Sequence, residues 1–405
     1  MIPHFKQFLS FRLFTTIGMQ MKMTIMGYFL YEMSHETLTL GLLGLYEAIP
    51  RIAMSLPAGY IVERMEKRKA LLFVIISYFF LSTLLLATMY ILKNDINAIK
   101  TSVFIIVFLM GIVGSLAPAA STTLFSHIIP KEHIARYSAM SSNAWQIGAV
   151  LGPILAGFLI FQIGTMGSMF FVLLCLIISI ISVLYLPKLE SQSNHPFNFN
   201  HSIVQIKEGL DFVFNNKILL WAISLDLFAV LFGGAVALLP AFAKDILMVD
   251  GQGFGFLRAA MPLGSALAMI YLSFRPIQKN TGKWLLVCIG FFGVFTIFFA
   301  LSRNLYLSLF CLMMTGAFDA VSVVIRSTLL LLETPDAIRA RVSSVNSMFI
   351  SSSNEIGAFE SGFAAHYMGT VRSVVFGGSM TIFFVIIAFL KAKELKKFEL
   401  HTSKT

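Results

Sequence analysis

Asp226, Asp319, Glu355 and Glu360 stand, together with Arg258 and Arg326, inside long apolar runs of this 405-residue chain. A charge at the centre of a bilayer costs at least about 2.5 kcal/mol, so each of these groups must face protein or water and must have a use that offsets its placement. The chemistry open to acids in that setting is proton transfer, because two carboxylates brought close cannot both stay ionised and one of them then takes up and releases a proton. Asp319 lies 12 residues from the inner end of its run and Glu355 13 residues from the inner end of the next, so their depths match. Proton coupling is therefore assigned to Asp319 and Glu355, with Asp226 as a third member. The structural alternative pairs Asp319 with Arg326, seven residues on along the same helix face with Ser322 between them. An axial separation of about 10 Å leaves that pair to a bent side chain or a relay. Arg258, near the outer end of its run, is matched with Glu360 in the outer half of another.

The first half of the chain carries a different set. Glu47 and Arg51 are one helical turn apart, and Lys22 sits at a similar depth, about 21 Å from the inner end of the preceding run at 1.5 Å per residue. The three together would hold an excess positive charge in the N-terminal half of a cavity. As a binding site they would attract an anionic or carboxylate-bearing substrate; as structure they are an ion-pair network holding two helices together. With Arg258 and Arg326 they form the candidate cavity charges. Asn346, Ser353 and Glu360, seven residues apart, make one polar stripe better suited to joining helices than to binding.

The elements that must position these groups follow from composition. With 57% hydrophobic and only 12% charged residues, the chain is not an ordinary soluble domain. Twelve apolar runs of about 18 to 25 residues, each long enough to cross a hydrocarbon core of roughly 30 Å, fall near residues 8–32, 38–62, 70–92, 102–126, 138–162, 168–187, 217–242, 253–275, 283–301, 305–331, 342–366 and 372–391. Backbone groups in lipid must bond internally and two-residue alternation is absent, so an all-α integral membrane fold of twelve transmembrane helices is expected. A shift of 205 lays Pro130–Phe158 on Pro335–Phe363 with eight identities, and also pairs Pro57 with Pro262, Gly59 with Gly264 and Gly111 with Gly316. The chain thus reads as two copies of a six-helix unit. Residues 1–190 form one bundle, 191–216 a linker with a surface amphipathic helix, and 217–405 a second bundle with a basic tail. Runs 3, 6, 9 and 12 hold no Asp, Glu, Lys or Arg except at their ends and can face lipid.

With both termini inside, twenty Lys and Arg fall in cytoplasmic segments and five on the other side. That asymmetry puts N- and C-termini in the cytoplasm of a multi-pass inner-membrane protein. It also accounts for the net charge of +10 without any nucleic-acid partner. The first run is too long, and too charged at Arg12 and Lys22, for a cleaved signal. Cys175, Cys288 and Cys311 have no metal-ligand spacing, and no phosphate loop is present, so no metal, no cofactor and no enzyme activity are expected.

Pro57 to Arg68, with Gly59, Glu63, Arg64, Lys67 and Arg68, resembles the signature loop between helices 2 and 3 of the major facilitator superfamily, Glu63 standing where Asp is usual and Glu66 replacing a Gly. The resemblance implies a cytoplasmic gate in which Glu63 meets the N-terminus of helix 11 near Ser343 and pairs with Arg64 or Arg68. Gly148, Gly152, Pro153 and Gly157 resemble the helix 5 motif of the superfamily's antiporters; generic close packing explains them equally well. Stretches Leu225–Val230, Leu257–Pro262 and Ser353–Gly362 are similar to the transmembrane secretion effector branch, with its enterobactin-exporter-like and macrolide-efflux-like members. What the resemblance implies is a monomeric secondary active transporter in contact with membrane lipid, moving a small molecule against protons by alternating access. A proton-driven exporter of a siderophore or lipophilic compound is the first reading. A proton-coupled importer is the second, and a non-transporting sensor or lipid-moving protein the third.

Overall fold

A computed structural model describes residues 4–188, 199–275, 277, 279–335 and 338–399. Among these no strand occurs, and the helices are α1 (Phe5–Ser34), α2 (Thr37–Ala53), α3 (Ser55–Arg64), α4 (Lys67–Ile91), α5 (Ile96–Gly114), α6 (Leu116–Ile128), α7 (Ile134–Leu184), α8 (Phe199–Asn215) and α9 (Lys217–Phe232). Then come a short α10 (Leu239–Ala241), α11 (Gly251–Phe274), α12 (Thr281–Leu301), α13 (Leu305–Glu333), α14 (Arg339–Met368), α15 (Thr370–Lys391) and α16 (Lys393–Lys397). Several starts are written locally: Asp95, Asn216 and Asn304 each turn a side-chain oxygen onto the first free N–H groups of α5, α9 and α13.

Among the described residues seven helical spans, α5 and α6 together making one, are long and apolar enough to cross a membrane, or eight if α8 and α9, bent by 103°, are counted as one span. α1, α2 and α14, which carry Lys22, Glu47, Arg51, Glu355 and Glu360, are not among the seven, whereas α11 and α13, with Arg258, Asp319 and Arg326, are. In α1 and α14 ionisable and polar side chains lower the hydropathy by which a span is recognised, while α2, at 17 residues, is short. The linker expected over 191–216 lies outside the described residues up to 198; the rest is α8 and the Asn216 cap.

The chain divides into two compact units, one of residues 1–197 with 249–259 and one of residues 198–248 with 260–405. Each shows the same internal close approaches at positions 205 apart. In the first unit a Cβ on Gly111 would stand 2.3 Å from the carbonyl oxygen of Glu47, and one on Gly152 2.7 Å from Gln20 Cβ. In the second, a Cβ on Gly316 would stand 2.0 Å from the Met261 carbonyl oxygen and one on Gly357 2.7 Å from that of Val230. Small residues at such points let helices meet backbone to backbone, which in a bilayer supplies packing that hydrophobic exclusion cannot.

The duplication extends further than the stretch ending at Phe363. Gly164 and Gly369, also 205 apart, are the two glycines with positive φ, at +75° and +86°. Gly164-Thr165-Met166-Gly167-Ser168 matches Gly369-Thr370-Val371-Arg372-Ser373 at three of five positions. α7 is accordingly two helices joined at Gly164, as α14 and α15 are joined at Gly369. A side chain at either place would be forced into a region that only glycine occupies readily. The backbone break in α7 falls at Gly164 and not at Pro153.

One run departs from its expected length. The helix expected over 217–242 stops at Phe232, and the chain turns through Gly233–Leu238 into a π-helical turn at Phe242–Ile246. The reason is crowding: a Cβ on Gly234 would lie 2.1 Å from Ser361 Oγ, one on Gly233 2.7 Å from the Phe292 ring, and one on Gly377 1.9 Å from the Phe232 carbonyl oxygen. Two consecutive glycines give the backbone room and weaken the helix there.

Candidate functional sites

In the first unit, Lys22 of α1 is fully buried, with its ammonium 3.8 Å from a carboxylate oxygen of Glu47 on α2. It also donates to the Met110 thioether of α5 at 3.4 Å. Glu47 is buried, and its other oxygen accepts from Arg51, one turn along α2. The structure thus brings Lys22, Glu47 and Arg51 together. To these it adds Tyr78 of α4, whose hydroxyl lies within hydrogen-bonding reach of Arg51. Gly114 makes the space: a Cβ there would meet the Tyr78 oxygen at 2.6 Å and an Arg51 terminal nitrogen at 3.2 Å. Two cations surround one acid, so with Glu47 ionised the cluster carries one net positive charge.

Tyr78 and Met110 are absent from the sequence-derived set. Tyr78 stands in a run without Asp, Glu, Lys or Arg that was expected to face lipid, yet the side chain is buried. A phenol hydroxyl inside an apolar run, as at Tyr90 of the same run, is the only signal the sequence offers.

In the second unit, Asp226 of α9 is buried and ion-paired with Arg326 of α13. Asp319, seven residues before Arg326, lies beside them, its charged neighbours being Arg326 and Asp226. Asp226, Asp319 and Ser322 line a pinched pocket walled by Ile289, Phe292 and Phe318. Its volume of about 10 Å³ is close to the room of a single water. This changes the expected partnership: the acid that shares a pocket with Asp319 is Asp226, which had been the third member, and the ion pair of Arg326 is made to Asp226 and not to Asp319. The reason is that α9 and α13 turn these residues towards one point, a fact about helix rotation that depth along each helix does not contain. Two acids and one cation leave this cluster one net negative charge when both acids are ionised.

Other predicted residues fall elsewhere. Glu355 is half-buried on α14. Of the polar stripe, Asn346 and Glu360 are half-buried, while Ser353 is buried and returns its hydroxyl to the Ile350 carbonyl at 3.0 Å. The Ser361 hydroxyl donates to Glu360 at 3.4 Å. Arg258 belongs to the first unit and Glu360 to the second.

Around the α3–α4 turn the basic residues serve the backbone. The buried Lys67 ammonium donates to the carbonyls of Val62 and Glu63, both at 2.7 Å, and so satisfies the end of α3. Arg68 donates to the carbonyls of Leu184 and Leu186 at 3.1 and 3.2 Å, closing the end of α7, and lies 3.8 Å from Glu66. Arg64 stacks over the Tyr60 ring at 4.4 Å. Glu63 is exposed, and a Cβ on Gly59 would meet nothing within 4 Å. In the helix 5 motif, Gly148 and Gly152 face α1, while a Cβ on Gly157 would stand 2.5 Å from the Gly251 carbonyl oxygen and 2.6 Å from Gly255 Cα.

Apolar helices long enough to cross a bilayer in both units, with buried clusters of charge packed among the helices, are those of a multi-pass membrane protein. The family model described as Major Facilitator Superfamily matches residues 8–284, and the chain belongs to that family. It is a transporter and not an enzyme. Among curated relatives, the enterobactin exporter EntS of Shigella flexneri is 24% identical over 290 residues, 71% of this chain and 68% of that one, as is EntS of Escherichia coli O1:K1. Among solved structures, a POT family transporter in complex with 5-aminolevulinic acid superposes with a TM-score of 0.75 at 12% identity, covering 96% of both chains. A bacterial homologue of the iron transporter ferroportin in an inward-facing state does so at 0.69 and 16%, over 94% of this chain and 98% of that one.

Proposed function

We propose that this chain is a proton-driven exporter of a small molecule, a siderophore or lipophilic compound, working by alternating access. In this reading it is a monomer of twelve spanning helices in the inner membrane, with both termini in the cytoplasm. Its bundles are residues 1–190 and 217–405, with runs 3, 6, 9 and 12 on the outer flanks. The observation that carries the reading is the Asp226–Arg326 pair with Asp319 beside it in one small pocket. One proton on either acid brings the cluster to neutrality, and Arg326 balances whichever acid stays ionised. Such a cluster has two states of similar cost that differ by one proton, which is what coupling to a proton gradient requires. Glu355 is a reserve acid on α14. Export is favoured over import by the similarity to EntS.

The positive cluster at Lys22, Glu47, Arg51 and Tyr78 gives the cavity its preference for cargo bearing a carboxylate, catecholate or other anionic group. Arg258 adds another cation to the candidate cavity charges of the first unit, and the stripe Asn346, Ser353 and Glu360 is read as joining helices. Gly59, Glu63, Arg64, Lys67 and Arg68 form the inner gate, where Lys67 and Arg68 hold the helix ends.

In sealed everted vesicles an imposed proton gradient is expected to drive accumulation of cargo. Asp319→Asn should abolish uphill movement while leaving gradient-free exchange, and Lys22→Met should weaken anionic more than neutral cargo. Uphill transport at the normal rate by Asp319→Asn would sink the coupling assignment.

A further inference from the structure

Between α9 and α15 the second unit has a slot of about 290 Å³ that the transport reading does not use. Its walls are the face of α9 from Leu220 to Phe228 together with Phe384 and Ile387 of α15, and Ser224 is the one polar side chain among them. Phe228 and Phe384 close one end as a parallel stack with ring centroids 3.9 Å apart. Trp221 lies towards the other end, one turn from Lys217. On α15 the surface beside the slot is apolar and outward, with Phe383, Ile386, Phe389 and Leu390 all exposed.

The Trp221 end is basic. Lys217 starts α9, and Lys391 ends α15 one turn beyond Ile387. α16 follows at once and is pinned there: Leu395 is fully buried, and its carbonyl oxygen lies where a Cβ on Gly282 would stand only 1.7 Å away. Lys217 reaches Glu394 at 3.3 Å, which fixes the start of α9 against α16. Lys391, Lys393 and Lys397 are exposed, while Lys396 lies over the Phe389 ring at 4.5 Å. Against these five lysines stand three acids: Glu394, already paired, Glu399, and Glu333, which accepts from Asn216 beside Lys217 at 3.3 Å.

We propose that this slot binds one anionic phospholipid, with an acyl chain between α9 and α15 and the phosphate on the lysines of α16 and Lys217. The charge pattern selects this occupant. An apolar slot along a membrane-crossing helix fits a hydrocarbon chain, and the cationic collar one turn beyond its end fits a headgroup at the membrane surface. Trp221 at the junction matches the interfacial preference of indole. A neutral lipophilic cargo would use the slot but gain nothing from the collar.

Trp221 is also the reporter. A full-length Trp145→Phe/Trp284→Phe protein keeps it as the sole tryptophan, and quenching is read in phosphatidylcholine vesicles doped with brominated-chain phosphatidylglycerol or brominated-chain phosphatidylcholine. Half-maximal quenching is expected at about fivefold lower mole fraction of the phosphatidylglycerol, the equivalent of one lysine's attraction. In the Lys217→Gln/Lys393→Gln/Lys397→Gln protein, whose altered residues are all exposed, the two lipids should quench alike. Native mass spectrometry of the unaltered protein should likewise retain phosphatidylglycerol over phosphatidylcholine. Equal quenching by both lipids in the parent protein, or a preference that survives loss of the three lysines, would overturn the proposal.

Discussion

The two charge clusters have the same number of ionic groups and opposite balance. Lys22 and Arg51 surround the single acid Glu47 in the first unit; Asp226 and Asp319 flank the single cation Arg326 in the second. In each, the minority charge is what makes the majority tolerable inside the membrane. The majority charges can change state or meet a ligand without leaving the cluster unpaired. On the proposed reading the first cluster holds an anion and the second a proton.

The sharpest way to break this comparison is to remove the minority charges. Glu47→Gln and Arg326→Met should each destabilise the purified protein by about 3 to 5 kcal/mol, the range for leaving buried charge uncompensated. Asp319→Asn and Arg51→Gln should each cost far less. Thermal unfolding in detergent measures all four, and an Asp319→Asn loss equal to that of Arg326→Met would show that Asp319 is structural.

A middle-sized effect tests whether the units repeat in their turns as they do in their helix contacts. Gly164→Ala and Gly369→Ala should each cost about 1 to 3 kcal/mol, because both force a side chain into positive φ where nothing else crowds it. A loss at only one site would show that the two turns carry different loads.

The smallest effect concerns Tyr78, which has no counterpart in the second unit, where Lys283 stands 205 positions on. Tyr78→Phe should cost about 0.5 to 1.5 kcal/mol, the net worth of one hydrogen bond. Combined with Arg51→Lys, it should show a coupling energy above the additive sum. Strict additivity would remove Tyr78 from the cluster.

The units also differ in where their first helix runs unbroken. α1 continues through Tyr28 and Phe29, whereas the equivalent positions in the second unit are Gly233 and Gly234, where α9 has ended. The glycine pair was visible in the sequence. Its effect was not, because Gly–Gly inside an apolar run is compatible with a helix until Ser361 and Phe292 press on it.

Hydropathy, glycine placement and a constant offset are one-dimensional properties, so the helical membrane character, the duplication and the positions of the buried charges could be read from the residues alone. Glu47 and Arg51 were legible as partners because four residues on a helix is a contact distance, and Lys22 because its depth matched theirs. Which acid meets Asp319 was decided by the tertiary structure. Depth along a helix follows from counting, but the direction in which a side chain points into the bundle is set by how each helix rotates against its neighbours. α9 turns Asp226 to the same pocket as Asp319, and α4 turns Tyr78 inward from a run with no charge to announce it. Lys67 and Arg68 show the same division: their charge assigned them to a membrane surface, and only the folded backbone supplied the carbonyls of Val62, Glu63, Leu184 and Leu186 that they bind.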